Sequence, residues 1–161
     1  MKKEFFDAML PVMAKNQTVY LLFCGLGYPR YDEFKEKFGD RAINIEASEQ
    51  TALDIAVGLA YCNKIPFVYT ITPFFYRGFE TIRTYINYEI LNCKLIGAGR
   101  NDDYSKHDGF SHDAKDIVRL FYPFTMFENI KALFPKPEDK IIDVINTMLK
   151  DKHPYFLSLR K

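Results

Sequence analysis

Asn44-Ile45-Glu46-Ala47-Ser48-Glu49-Gln50 carries the chain out of a short β-type run and into a helix, and this change of period decides the fold. Downstream, Ala52, Ile55, Ala56 and Leu59 recur at the i, i+3, i+4, i+7 spacing of an amphipathic helix whose inner face is core. Glu49 stands three residues before Ala52 and so falls on that inner side. Burying a carboxylate is expensive; the usual escape is to keep the proton, which turns the group into a hydrogen-bond donor. A plain alternative stands beside this reading. Acidic residues complement the dipole in the first turn of any helix, and a solvated Glu49 would need no further role.

Outward from this junction, apolar runs of strand length alternate with helical patterns. The strands are expected at Val19–Phe23, Ala42–Ile45, Phe67–Thr70, Lys94–Ala98, Thr125–Phe127 and Phe156–Leu159. Helices are expected at Glu4–Lys15, Tyr31–Phe38, Ser48–Cys62, Gly78–Asn92, Ala114–Phe121 and Glu138–Lys150, the last opened by Pro137. Such alternation predicts an α/β fold: a three-layer sandwich with a mostly parallel six-stranded sheet and helices on both faces. Ligands of such sheets bind beyond the carboxyl ends of the strands. Three loops leave those ends with unusual chemistry: Glu46–Gln50, Ile71–Arg77 and Gly99–Asp113.

Composition narrows the classes. With 161 residues, 48% of them hydrophobic, residues 1–161 read as one domain with one substantial core. A net charge of +1, with Lys and Arg spread along the chain, gives no electrostatic footprint for nucleic acid. No stretch approaches the length of a membrane span and the start has no signal-peptide pattern, so a cytoplasmic protein is expected. Cys24, Cys62 and Cys93 are odd in number and lie in apolar contexts, which predicts buried reduced thiols. Gly58, inside a good helix, costs about 1 kcal/mol relative to Ala and points to close approach of another backbone, within the chain or across an interface.

The loops can be read for chemistry one by one. In Thr70-Ile71-Thr72-Pro73-Phe74-Phe75-Tyr76-Arg77, Phe74 could stack on a flat ring or simply fill core, and Arg77 could bind an anion or be a solvated helix-start residue. Gly99–Asp113 is long and polar, as functional loops often are. Its His107, Asp108, His112 and Asp113 match no closed zinc pattern, whereas Asp108 and His112 suit substrate hydroxyls and carbonyls; Ser111 or Asp113 could equally cap the next helix. Gly25-Leu26-Gly27-Tyr28-Pro29-Arg30 imitates a dinucleotide fingerprint, with Glu46 at about the distance of a ribose contact. The match fails because Arg30 replaces the third glycine and Pro29 interrupts the helix opening.

Taken in order, Glu46-Ala47-Ser48-Glu49-Gln50, Ala56-Val57-Gly58-Leu59-Ala60, Ile65-Pro66-Phe67-Val68-Tyr69-Thr70 with Pro73-Phe74, and Asp108-Gly109-Phe110-Ser111-His112 form one joint pattern. It resembles the pyrimidine-binding domain of transketolase and 1-deoxyxylulose-5-phosphate synthase over nearly the whole chain. The resemblance implies a thiamine-diphosphate-binding fold in which Glu49 bonds the aminopyrimidine nitrogen of thiamine diphosphate. A protonated carboxyl there favours the imino tautomer, whose nitrogen removes the thiazolium proton; the cofactor carries the chemistry and the protein sets tautomer and position. It further implies that Phe74 packs on the pyrimidine, with Ile71 and Arg77 beside it. Asp108 and His112 would meet substrate hydroxyls, His112 with a catalytic part, and Arg160 and Arg100 would face the sugar or sugar phosphate.

The departures matter too. The family carries a further histidine where this chain has Arg100, and an acidic residue where it has Gly25. The diphosphate-binding domain, with its Gly-Asp-Gly start, and the family's C-terminal domain have no counterpart in these residues. Half a cofactor site cannot hold the diphosphate tightly, because metal and charge contacts supply most of that binding. The resemblance therefore implies a split enzyme, inactive as this chain alone. A dimer of this chain would pair with two diphosphate-binding partner chains as α2β2, the partner holding Mg²⁺ or Ca²⁺. The expected activity is transfer of a two-carbon ketol unit between sugars or sugar phosphates. The alternatives are the small subunit of a 2-oxo acid decarboxylase of the sulfopyruvate type, or a non-catalytic assembly module that kept the fold.

Overall fold

The structure is a computed structural model that describes residues 1–27, 29–122 and 125–161. Among these, six strands form one sheet: β1 (Val19–Phe23), β2 (Ala42–Asn44), β3 (Ile65–Ile71), β4 (Lys94–Ala98), β5 (Lys131–Leu133) and β6 (Tyr155–Leu159). Their order is β2-β1-β3-β4-β6-β5, and every neighbouring pair is parallel. The helices are α1 (Lys2–Lys15), α2 (Arg30–Phe38), α3 (Glu49–Tyr61), α4 (Phe79–Thr81), which widens into a π-helix over Ile82–Tyr88, α5 (Ser105–Asp108) and α6 (Ile141–Leu149). No described helix is long and apolar enough to cross a membrane.

Side chains of the strands alternate between two cores, as the pleat requires. Leu21, Phe23, Phe67, Tyr69, Ile96 and Leu157 face α1, α2 and α6, while Leu22, Val68, Leu95 and Phe156 face α3, the π-helix and the turns after β4. Both faces are covered, which is why the central strands read as continuous apolar runs. Between β1 and β3 the winding reverses: α2 leads from β1 to β2 on one face, and α3 leads back to β3 on the other. The crevice at such a reversal is where ligands of parallel sheets sit.

Four expected elements are placed differently. Thr125–Phe127 is turn and the fifth strand is Lys131–Leu133. Phe127 is apolar because it is buried in the core, not because it joins the ladder; the true strand has an exposed lysine and two half-buried residues, since it pairs only with β6 at the sheet edge. The last helix begins at Ile141, not after Pro137. The backbone there is already used in a turn, in which the Lys136 amide donates to Asp139 Oδ2 at 2.7 Å and the Asp139 amide to Lys136 O at 3.1 Å. The expected helix Gly78–Asn92 is the shorter α4 and π-helix pair, and Ala114–Phe121 reduces to a 3-10 turn over Ile117–Phe121. One residue-level expectation also changes: Cys62 is exposed, while Cys24 and Cys93 are buried. Among the described residues, nothing outside its own helix turn and chain neighbours lies within 4 Å of a Cβ built on Gly58.

Candidate active site

Glu49 is the first residue of α3, and the buried stripe of that helix is Glu49, Ala52, Leu53, Ala56 and Val57. The stripe sits one position away from the expected Ala52-Ile55-Ala56-Leu59, with Ile55 and Leu59 only partly buried. The chain is brought to this start by Asn44 at the end of β2. Its side-chain oxygen accepts the amides of Gly25 (3.3 Å) and Glu46 (3.1 Å), and its Nδ2 donates to Glu46 Oε1 at 2.7 Å. Glu46 adopts the left-handed region (φ 54°), so a short tight loop replaces a smooth passage from strand to helix. Gly25, at φ +61°, would set a Cβ 3.3 Å from the Glu46 carbonyl carbon. A side chain there would be tight against this loop and strained by the left-handed backbone.

The Glu49 carboxylate is 1% exposed. Its Oε1 accepts from Thr70 Oγ1 at 3.1 Å, and its Oε2 from Arg77 Nη1 at 2.5 Å. Burial thus meets a cationic partner, the Arg77 guanidinium. Arg77, half exposed, also lies with its guanidinium carbon 4.2 Å from the centre of the Phe74 ring, a cation–π geometry. The edge of Phe74 is met by the His112 imidazole, with ring centres 5.0 Å apart. Cys24, beyond the end of β1, completes the floor. Burial pushes its thiol up to about 12, and the neighbouring Glu49 charge adds to the shift while the Thr70 hydroxyl opposes it, so it is no nucleophile.

Two glycines and a threonine fix the loop that carries Phe74 and Arg77. Thr72 Oγ1 donates to Gly99 O at 2.5 Å, tying the loop to the end of β4, and a Cβ on Gly97 would stand only 2.5 Å from that threonine oxygen. At the loop's other end, a Cβ on Gly78 would run into Leu53 Cδ1 of α3. Only glycine lets the turn approach the helix closely enough to bring Arg77 to Glu49.

The remaining expected site residues lie elsewhere. Ile71 points to the opposite face of the sheet, where with Tyr69, Phe6, Lys2, Arg30 and Tyr104 it lines a cavity of about 430 Å³ that Glu49 and Phe74 do not line. Arg30 does not front a phosphate site; its guanidinium bonds Asp7 and, at 2.8 Å, Glu33, and Tyr28 of the glycine turn lies outside the described residues. Arg100 has a bracing position, with Nε on Ser158 Oγ (3.1 Å) and Nη2 on the carbonyls of Ser158 (2.5 Å) and Pro135 (3.2 Å). Burial, and then the charge of Arg160, press its pKa down. Arg160 is exposed and reaches Asp103 at 3.4 Å. Burial works against the Asp103 charge, but the Arg100 and Lys161 amides and Arg160 hold its carboxyl below the usual carboxylate range. Asp108 is exposed at the end of α5; the Asp113 side chain accepts the Lys115 amide at 2.9 Å, and it is Asp116 that caps the next turn. Among the described residues no group of three or more His, Cys, Asp or Glu could hold a metal ion.

Thr70, Cys24, Thr72 and Asp103 were not singled out from the sequence. Thr70 had a signal: it is the one threonine or serine in the strand run Ile65-Pro66-Phe67-Val68-Tyr69-Thr70-Ile71, and a buried hydroxyl needs a partner. Nothing local marks Asp103, whose partners come from both sides of the sheet end.

Fold and site together define an α/β domain that presents a buried, paired carboxylate and an aromatic ring at the carboxyl edge of a parallel sheet. The known proteins this chain is similar to include transketolase subunits. The chain is 24% identical over 145 residues to the 6-deoxy-6-sulfo-D-fructose transketolase subunit SqwH of Clostridium sp. (strain MSTE9), covering 84% of this chain and 45% of that protein. It is 25% identical over 127 residues to one of the apulose-4-phosphate transketolase subunits of Actinobacillus succinogenes, covering 78% and 40%. Among solved structures, a split-gene transketolase described as an inactive beta4 tetramer superposes with a TM-score of 0.83 at 23% identity, over 99% of this chain and 50% of that one. No family model matches the sequence. The chain spans less than half the length of the two curated relatives, and what it shares with the solved structure is the fold.

Proposed function

We propose that this chain is the pyrimidine-binding subunit of a split, thiamine-diphosphate-dependent, transketolase-like enzyme that transfers a two-carbon ketol unit between sugars or sugar phosphates. The observation that carries this reading is Glu49, a carboxylate 1% exposed at a helix start and linked through Arg77 to the Phe74 ring. The residues fit the cofactor's pyrimidine half: a flat heteroaromatic ring needs one hydrogen-bonding acid and one apolar face, and Glu49 and Phe74 offer both. When bound, thiamine diphosphate supplies the carbanion chemistry of the reaction. What this chain does is hold a proton at the Glu49 carboxyl for the ring nitrogen, fix that carboxyl through Thr70, and place His112 where a substrate hydroxyl or carbonyl can meet it. Asp108 and Arg160 lie on exposed segments that could follow the rest of a sugar phosphate.

The diphosphate and its metal need carboxylate and amide ligands that this site does not offer, so a second chain carrying a diphosphate-binding domain completes the site and brings Mg²⁺ or Ca²⁺. In this reading residues 1–161 are one pyrimidine-binding domain, and two copies pair with two partner chains. The relatives' transketolase names support ketol transfer over decarboxylation of a 2-oxo acid. Mixing the chain with a diphosphate-domain chain, thiamine diphosphate, Mg²⁺ and a ketose donor tests it. The complex should turn over the donor while either chain alone should not, and Glu49→Gln should assemble normally yet lose about a hundredfold or more in turnover, as expected for removal of a positioned proton donor. Full activity of Glu49→Gln would sink the assignment.

A further inference from the structure

Arg77 does two things at once. It donates to Glu49 Oε2 at 2.5 Å and lies 4.2 Å from the centre of the Phe74 ring. These are the two groups assigned above to the pyrimidine, one for its nitrogen and one for its face. A guanidinium is a flat, delocalised group with donors on its edge and a stacking surface, so it can engage an acid and an aromatic ring at once, donating to the carboxyl where a ring nitrogen would accept. We propose that Arg77 is the resident occupant of the pyrimidine site, a removable counter-ion that an incoming aminopyrimidine must displace from Glu49 and Phe74.

The arrangement gives both halves of that statement a physical basis. A charged acid as buried as Glu49 is costly without a cationic partner, and Thr70 contributes only a neutral hydrogen bond, so the empty site needs Arg77. The partner is also free to leave. The Arg77 side chain is half exposed while Glu49 is 1% exposed, and Arg77 stands in the short 3-10 turn Thr72–Gly78 with exposed Tyr76 before it. Rotation about its own side-chain torsions carries the half-exposed guanidinium to water without moving the backbone. A site that is self-paired when empty binds its ligand more weakly by the fraction of time it is open. Arg77 is then a positioning residue for the empty state and a competitor in the loading step, in contrast to a cofactor-binding residue.

The proposal rests on the pyrimidine reading and is tested on the full chain with a probe that needs no partner, the hydroxymethylaminopyrimidine half of thiamine. Binding is followed by NMR titration, with the Arg77 Nε–H and the Phe74 ring resonances as reporters. In the wild-type chain the Arg77 Nε–H should move to a solvent-like position as the probe binds. Arg77→Met should bind the probe about tenfold more tightly, Arg77→Lys by an intermediate amount, and the gain should vanish in Glu49→Gln/Arg77→Met, where no charge needs a counter-ion. Arg77→Gln serves as a second neutral variant should Arg77→Met fail to fold. Equal or weaker binding by the neutral variants, or an Arg77 signal that stays fixed at saturation, overturns the proposal while leaving the pyrimidine reading intact. No binding by any variant overturns both.

Discussion

Thr70 Oγ1 and Arg77 Nη1 take one oxygen each of Glu49, and the unequal chemistry of these two bonds sets what each residue is worth. Thr70 is fully buried, so Thr70→Val leaves a lone pair of the carboxylate without a partner in a place water cannot reach. A loss of about 1 to 3 kcal/mol of stability is expected, read as a lower thermal midpoint, and the Cys24 thiol loses a hydrogen bond at the same time. At this scale the sequence was informative where position on a helix stripe settled burial, as at Glu49, and silent where a side chain folded back on its own domain. Arg77 could be read as an anion binder or a solvated residue, because nothing in Tyr76-Arg77-Gly78 shows that the next glycine presses on Leu53 and aims the guanidinium inward. Arg100 and Ile71 have other neighbours than Glu49 and Phe74 for a related reason: the pleat turns Ile71 to the opposite face, and Ser158 and Pro135 take the Arg100 guanidinium.

Between elements, the contact of the Thr72–Gly78 turn with α3 is the joint that assembles the site. Gly78→Ala would force Cβ into Leu53, and overpacking of this kind costs about 1 to 3 kcal/mol. The expected result is a lower denaturation midpoint together with loss of the Arg77–Glu49 pair, visible as release of the Arg77 Nη1 protons to solvent. At the opposite end of the sheet, β4 opens with Lys94, fully buried, donating to His153 O at 2.7 Å and lying 4.6 Å from the Tyr155 ring centre. Burial brings its pKa from 10.5 down to about 7, against the opposing pull of Asp151. Between about pH 7 and 10.5 the unfolded chain holds a proton that the folded chain has released, so stability rises with pH through that window. Lys94→Met should flatten the rise and stabilise the protein at pH 7, measured by urea titration at three pH values across it. The central strands were legible from their continuous apolar runs, whereas β5 was not, because an edge strand of three residues with one exposed lysine carries almost no apolar signal.

For the molecule as a whole, the parallel α/β architecture followed from alternation of strand and helix periods, and the order of the strands puts the reversal between β1 and β3 beside Glu49. What the alternation could not convey is that the polar loop after β4 divides, His112 joining Phe74 while Asp103 gathers Arg160 and the end of the chain. If the site is completed by a diphosphate-domain chain, sedimentation of the mixture should show a hetero-oligomer, and calorimetry should detect tight thiamine diphosphate and Mg²⁺ binding only to that species; tight binding to this chain alone would remove the need for a partner. The sheet's two borders bear on how such a chain survives before assembly. β2 and β5 are three residues each, shorter than the strands they flank, and β5 carries Lys131 in an ion pair with Asp151 at 2.6 Å. Borders this short, one of them charged, give another chain little backbone to pair with, which guards separate copies of this chain against strand-to-strand aggregation.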